Sequence, residues 1–392
     1  KVLDLLISEN PMQDLEVCFN QFQPDFVGLH SHTQTYCTAI EIASWIKNVR
    51  ESCVVGLGGP HATLDPLGVL DRQRCFDFVF RFDSEQSLIE VLHLLAAGVQ
   101  IGAPAMENIC GIGFRRNKKL ILTELERIRL DFSRMPTCDR SVFDMNWYKK
   151  NDPETVLMTA RGCPGSCSFC ATRVIGRKYR VHSFNNVLAE IGDIQEYGFE
   201  SFFIGDDTFA CNTKRTIEFC SEYVRRGFKM RWTSNLRLVD ATPERLKAMK
   251  AAGAYRVFMG FETFNATNIN SYNKAAINFE RAKHTCELIR SFGLEIHGSF
   301  MVGGPADTKQ SLLSSISLIK QLGLTVVTFN KIFAWPGTSL GQAPEAAGVY
   351  YTEDAFWFER RGWVERHPFY TNHLSPDDLK DVTSELYYEL LS

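Results

Sequence analysis

The sequence predicts an α/β protein in two parts: an N-terminal doubly wound, Rossmann-like parallel sheet, then a partial (β/α)6 barrel of the TIM type. Three observations predict it. Short apolar runs alternate with helical patterns over most of the chain. The alternation breaks once, in a stretch bracketed by Pro136 and Pro153. In the second part, glycine-rich and polar pieces follow each apolar run, where the βα loops of a barrel carry its reactive groups.

In the first part, VLDLLI (2–7) reads as a strand, followed by a helix over 12–22. DFVGLH (25–30) is a strand with a helix over 37–51 behind it. CVVGLGG (53–59) is a strand ending in glycines, and FDFVFRF (76–82) is another, with a helix over 85–97. GIGFRR (111–116) and KKLILTE (118–124), meeting at Asn117, read as a β-hairpin. Residues 1–130 are therefore expected to form one domain. Residues 131–152 carry no repeat and read as a linker lying against the next domain.

The second alternation begins at 153. VLMTARG (156–162) is a strand. Helices over 184–197, 213–226, 243–252, 279–292 and 308–322 lead to the strands SFFIGDD, KMRWTSN, YRVFMGFE, EIHGSFMVGG and VVTFNKIFAWPG. Six such units fall short of the roughly 250 residues that a closed eight-stranded barrel needs, so an open barrel over 153–340 is expected. Residues 341–392 are left as a C-terminal helical extension.

With 392 residues, 45% hydrophobic and 23% charged, the composition is that of a globular chain of two domains. A formal net charge of −3 gives no bulk attraction to nucleic acid or to an acidic membrane surface. Arg225, Arg226, Lys229 and Arg231 read as a solvated face. No membrane span or signal peptide is expected. The chain begins at Lys1 inside an apolar run and closes on SELYYELLS; both ends look clipped. Nine of the twelve cysteines are scattered through apolar segments, as buried thiols of a reduced, cytoplasmic protein would be.

The other three are crowded into RGCPGSCSFC: Cys163, Cys167 and Cys170. Thiolates are the ligands of iron–sulfur clusters, and one loop carrying three of them can wrap a face of a cubane. Three ligands leave one iron open to chelation by an amino and a carboxylate group. A structural zinc knuckle is the alternative. It needs a fourth ligand, for which Cys211 and His182 are the irregularly spaced candidates.

The CxxxCxxC spacing, with Phe169 before the last cysteine, resembles the signature of the radical SAM superfamily. The resemblance runs from about residue 153 to 340. It implies a 4Fe-4S cluster on Cys163, Cys167 and Cys170, and S-adenosylmethionine (SAM) laid across the strand ends. Gly205, Asp206 and Asp207 stand where the family holds the methionine amino group, although the literal GGE is replaced by GDD; capping of the next helix is the plainer role for the two carboxylates. Ser234, Asn235 and Arg237 follow the third strand, where polar contacts to SAM are usual. Glu262 stands where the family contacts ribose or methionine, with an ordinary salt bridge as the alternative. Gly303, Gly304 and Pro305 admit close backbone approach. Phe333 to Trp335 either border adenine or pack in the core.

The N-terminal part resembles the cobalamin-binding domain that precedes many radical SAM barrels. PDFVGLHSHTQTY, VVGLGGPHATLDP and FDFVFRFDSEQSLIEVL carry the likeness, above all GGPHAT, which makes Gly58, Gly59 and His61 cofactor candidates. No DxHxxG motif supplies an axial histidine. For His30, His32 and His61 singly, a loop or core role outweighs cobalt ligation. Two departures stand out: Arg81-Phe82-Asp83-Ser84-Glu85 replaces the family's RGEGE, and the usual first βα unit is missing, which leaves VLDLLI matching the family's second strand.

Together these resemblances imply a radical SAM enzyme that cleaves SAM reductively to a 5′-deoxyadenosyl radical. The expected reaction is cobalamin-dependent methylation of an unactivated carbon in a small-molecule or natural-product substrate. An external one-electron reductant such as flavodoxin or ferredoxin is implied as partner. Alternatives are an oxidative cyclase or ring-rearranging enzyme of the same family, and a non-catalytic iron–sulfur or cobalamin carrier. FWFERRGW (356–363) has no assigned role.

Overall fold

The computed structural model describes residues 1–125, 131–176, 178–274, 277–351, 359 and 368–392. The chain divides into two compact units: residues 1–131 with 353–366, and residues 132–352 with 367–392. FWFERRGW lies outside the described residues except for Glu359, whose carboxylate pairs with Arg72 of the first unit at 2.5 Å.

In the first unit, β1 (Phe26–His30), β2 (Val54–Gly58) and β3 (Phe78–Phe80) pair in parallel, and β4 (Ile112–Arg116) and β5 (Lys119–Leu122) add antiparallel. Val55, Leu57, Phe78 and Val79 are fully buried. Buried apolar neighbours on both faces are what a parallel sheet covered by helices requires. The helices are α1 (Pro11–Phe22), α2 (Tyr36–Val49), α3 (Pro60–Leu64), α4 (Pro66–Arg72) and α5 (Glu85–Ala96). Proline in the first turn starts α1, α3 and α4, where its missing N–H costs nothing. The β4–β5 hairpin forms as the sequence predicts; Asn117 and Lys118 take φ of 48° and 64°, the left-handed pair that a tight two-residue turn needs.

The strand expected at VLDLLI does not form. Residues 2–7 have no regular structure, and Leu6 is 74% exposed. Among the described strands β1 is at the sheet edge, and residues 2–7 do not pair with it, so their apolar run has no ladder to join.

In the second unit, six strands pair in parallel in strict sequence order: β6 (Glu154–Leu157), β9 (Ser201–Ile204), β10 (Arg231–Asn235), β11 (Ala254–Glu262), β12 (Glu295–Val302) and β13 (Val326–Lys331). This is the six-unit open barrel that the sequence predicts. A short ribbon of β7 (Ala160–Arg161) and β8 (Arg180–Val181) interrupts the first unit of the barrel. The chain between its strands forms α7 (Thr172–Ile175), and the connecting helices are α8 (Phe184–Glu196), α9 (Thr213–Arg225), α10 (Pro243–Ala251), α11 (Ala266–Ser271), α12 (Phe279–Ser291) and α13 (Lys309–Gln321). In α8, Val187, Leu188, Ile191 and Ile194 form one buried stripe at helical spacing, and Ser183 caps the N-terminus by accepting from the Asn186 N–H.

The stretch read as a linker is built into the second unit. It contains α6 (Met145–Asn151), and Arg140 bonds Glu190 on α8 at 2.6 Å. The C-terminal segment, expected to be helical, also holds an antiparallel ribbon, β14 (Val349–Tyr351) with β15 (Phe369–Thr371), besides α14 (Ser339–Gln342) and α15 (Pro376–Leu391). Leu379, Val382 and Leu386 of α15 are fully buried in the barrel's core cluster. Tyr387 reaches the edge strand β13, where its hydroxyl oxygen accepts the Phe329 N–H at 3.0 Å.

Candidate cluster and cofactor sites

The cysteine loop leaves β7 at Gly162 and ends at Thr172, the first residue of α7. Gly162 has φ +88°, and a β-carbon there would overlap the carbonyls of Gly176 and Lys178. The loop is then pinned at several points. Ser168 N–H donates to the Tyr272 carbonyl at 3.1 Å and its hydroxyl to the Ser271 carbonyl at 2.7 Å. Asn273 donates to the carbonyl and hydroxyl of Ser166 at 3.0 and 2.9 Å. Phe169 packs edge-on against Tyr272, with ring centroids 5.3 Å apart.

So held, Cys163, Cys167 and Cys170 are half-buried and line one cavity of about 750 Å³ at the carboxyl ends of the strands. Burial pushes the Cys163 and Cys167 thiols up; the Gly165 N–H opposes this at Cys163, and the Lys274 cation at Cys167. Among the described residues, no three His, Cys, Asp or Glu side chains converge closely enough to hold one metal ion. The two candidates for a fourth zinc ligand lie elsewhere. The His182 ring lies tilted against Phe132 with centroids 3.8 Å apart, Cys211 shares a hydrogen bond with Tyr179, and neither lines the cavity.

Phe169, Asp207, Asn235, Arg237 and Glu262 line the same cavity; Gly205, Asp206 and Ser234 do not. Strand alternation explains Ser234. Thr233 and Asn235 face the barrel interior, so Ser234 between them turns into the helix layer with no exposed surface. Gly205 is small for a packing reason: a β-carbon would crowd Val156 of the neighbouring strand β6 and Met158 just beyond it. Asp206 is fully buried and accepts from the Thr159 N–H (2.6 Å), the Thr159 hydroxyl (2.5 Å) and the Ala160 N–H (2.9 Å). Burial pushes its carboxyl up to about 7, against the pull of those donors. It ties β9 to the root of the cysteine loop and is closed off from any ligand. Neither Asp206 nor Asp207 caps α9; Asn212 does, accepting from the Arg215 N–H.

The remaining candidates are engaged but accessible. Asn235 donates to the Asp206 carbonyl at 2.9 Å. Arg237 pairs with the buried Asp240 at 2.6 Å. Glu262 takes φ +62° at a bulge in β11 and pairs with Lys274 at 2.7 Å. Phe333 and Trp335 stack on each other at 5.0 Å, and Phe333 also packs edge-on against Phe369 of β15; neither lines the cavity.

Several lining residues escaped the sequence reading. Lys274 and Asn273 arrive from the turn after α11, a stretch with no motif. On the far wall, His297 bonds Thr328 at 3.2 Å and Asn330 donates to Ser299 at 2.9 Å. Their two-residue spacing on β12 and β13 is the signal that could have placed them inside the barrel.

In the first unit, the carboxyl ends of β1 and β2 bring together His30, His32, Gly58 and Gly59. Gly59 has φ +94°, and a β-carbon would overlap the Ser31 carbonyl and the His30 ring. His61 goes the other way. Its ring is fully buried, stacks on Tyr36 at 3.8 Å and bonds the Thr33 hydroxyl through Nδ1 at 3.1 Å. Burial pushes it down to about 3, helped by the Arg72 charge. His61 is thus packed as a core residue.

Residues 157–319 match the family model described as the radical SAM superfamily. An uncharacterized methyltransferase of Pyrococcus horikoshii is 28% identical over 355 residues, covering 90% of this chain and 76% of the relative. The anaerobic magnesium-protoporphyrin IX monomethyl ester cyclase of Cereibacter sphaeroides is 27% identical over 334 residues; the match covers 82% of this chain but only 53% of the cyclase. Among solved structures, the radical S-adenosylmethionine methyltransferase TsrM from Kitasatospora setae, with cobalamin and a [4Fe-4S] cluster bound, superposes with a TM-score of 0.79. It is 15% identical, and the match covers 97% of this chain and 82% of that one. At that identity the likeness is one of fold.

Proposed function

Because residues 157–319 match the radical SAM superfamily model, we propose that the chain is a cobalamin-dependent methyltransferase that cleaves SAM at a 4Fe-4S cluster. One observation carries this reading: three thiols on a single pinned loop line a cavity large enough for a nucleoside-sized ligand.

Cys163, Cys167 and Cys170 would hold the cluster, which when reduced would supply one electron to the SAM sulfonium, breaking its C5′–S bond into methionine and a 5′-deoxyadenosyl radical. The chain's own part is to orient SAM and to exclude water. Phe169 and the apolar wall at Phe258 and Met259 shield the cavity, while Asn235, Arg237 and Glu262 offer polar contacts. Lys274 holds one oxygen of Glu262, and the other can accept from ribose hydroxyls. The donor set fits the group: three thiols beside open space, with fixed roots on both sides.

In the first unit, Gly58 and Gly59 at the strand ends suit a large planar cofactor, since ligands of such sheets lie outside the carboxyl ends of the strands. Cobalamin there would relay a methyl group. The buried His61 offers it no ligand.

The substrate is proposed to be a small molecule and the electron donor an external reductant such as flavodoxin or ferredoxin. A reducing, cytoplasmic setting is proposed from cysteine usage: nine of the twelve are scattered through apolar segments. No described helix is long and apolar enough to cross a membrane.

The test is anaerobic reconstitution with iron, sulfide, hydroxocobalamin, SAM and a reductant. The intact chain should release 5′-deoxyadenosine and retain cobalamin, and C167A should release none. Equal release from both would remove the cluster assignment. A dehydrogenated rather than methylated product would favour the cyclase.

A further inference from the structure

We propose that Asp207 is a positioning residue whose carboxylate clasps the two roots of the cysteine loop and so sets the spread of the three sulfurs. The proposal rests on the radical SAM reading of that loop.

The geometry is specific. One carboxylate oxygen of Asp207 accepts the Gly162 N–H at 2.9 Å, and the other accepts the Thr172 hydroxyl at 3.0 Å. Gly162 directly precedes Cys163, and Thr172 stands two residues beyond Cys170. One side chain therefore bridges the entry and the exit of the segment that bears all three thiols. Bridging the ends of a short segment removes much of its conformational freedom.

Asp207 is delivered to this point by its neighbours. Asn235 of β10 holds the Asp206 carbonyl, and the buried Asp206 side chain fixes Thr159 and Ala160. Successive side chains of an extended segment point to opposite sides. With Asp206 turned inward to the strand ends, Asp207 turns outward onto the loop. The middle of the loop is held from the opposite side by Ser271, Tyr272 and Asn273. The clasp completes a frame in which each sulfur's backbone is tied on both flanks.

A clasp and a charge contact to the SAM ammonium make different demands. An amide can replace the clasp: the Asn oxygen accepts from Gly162, and its NH2 donates to the Thr172 oxygen. An amide cannot replace an anionic partner of an ammonium. D207A, D207N and T172V are therefore compared with the intact chain after anaerobic reconstitution with iron and sulfide. The readouts are iron retention against a chelator, the electron paramagnetic resonance of the reduced cluster, and binding of labelled SAM. Amide exchange at Gly162 is followed in the metal-free protein.

D207A should speed Gly162 exchange, weaken iron retention about fivefold, as befits losing a hydrogen-bonded bridge, and alter the resonance. D207N should restore all three and bind SAM normally. T172V removes one anchor and leaves the Asp207 charge in place; it should lose iron as D207A does, which keeps the test open if D207A misfolds. Full iron retention and an unchanged resonance in D207A and T172V would overturn the clasp. So would a D207N that keeps its cluster but binds SAM roughly tenfold more weakly, the mark of a lost charged contact. An intact chain that takes up no cluster would fail earlier, at the radical SAM reading itself.

Discussion

The ammonium of Lys274 lies 2.7 Å from a carboxylate oxygen of Glu262 and 2.9 Å from the carbonyl of Gly260. One cation thus closes the bulged end of β11 beside the cysteine loop, and it does so largely buried, with Lys274 and Glu262 side chains 20% and 12% exposed.

Removing that cation leaves a carboxylate with little solvent to replace it. K274M should destabilise the second unit by about 2 kcal/mol, between the cost of a lost charged hydrogen bond and that of a broken buried pair. Chemical denaturation measures this. The loss should persist at high salt, because screening acts weakly on pairs removed from solvent.

Gly304 sits where a β-carbon would overlap the Tyr272 hydroxyl and the Asn268 amide. Asn268 is fully buried and donates to Asp307 at 2.7 Å, while Tyr272 supports Phe169 of the cysteine loop. G304A should therefore cost roughly 1–3 kcal/mol, as overpacking does, and should also loosen the loop from a distance. Thermal unfolding reads the first effect, and cluster retention after reconstitution reads the second.

His61 makes the first unit acid-sensitive. Its folded pKa, pushed down to about 3, lies below the 6.5 of the unfolded chain. Between those values the unfolded state binds the extra proton, so stability falls as pH falls from 6.5 towards 3. At about 1.36 kcal/mol per pH unit, the loss from neutral pH to pH 5 is about 2 kcal/mol. H61F keeps a ring against Tyr36 and removes the titration. Protection factors of the β2 amides, exchange corrected for the intrinsic rate at each pH, should fall from pH 7 to pH 5 in the intact chain and change much less in H61F.

The Tyr387 hydroxyl satisfies a backbone N–H on β13, an edge strand. Y387F keeps the ring packed on Phe329 (centroids 5.0 Å apart) and removes the acceptor. Stability should drop by about 1 kcal/mol, and exchange at the Phe329 amide should rise while other β13 amides hold.

How far the sequence revealed all this depends on range. Features set by near neighbours were legible: the six βα units, the hairpin at Asn117 and the three-cysteine loop each follow from local pattern. Side-chain direction was legible in principle. Alternation along RWTSN turns Ser234 away from the cavity that Asn235 lines, and the family-based expectation overrode that rule. Long-range pairings were not legible. Nothing local marks Lys274 as the partner of Glu262, or Asp206 as a strand tie rather than a ligand contact. VLDLLI has the composition of a strand, but pairing is a property of two segments, and no described strand meets it.

The hydrogen bonds that Ser168 and Asn273 donate and those that Asp207 accepts run between backbone, hydroxyl, amide and carboxylate groups, and none of them uses a cysteine sulfur. The loop's ties to its surroundings are thereby made in oxygen and nitrogen chemistry. Maturation of a cluster here would then differ from that of small zinc modules, whose peptide collapses around the ion: iron and sulfide would meet a loop that its own polar contacts already shape.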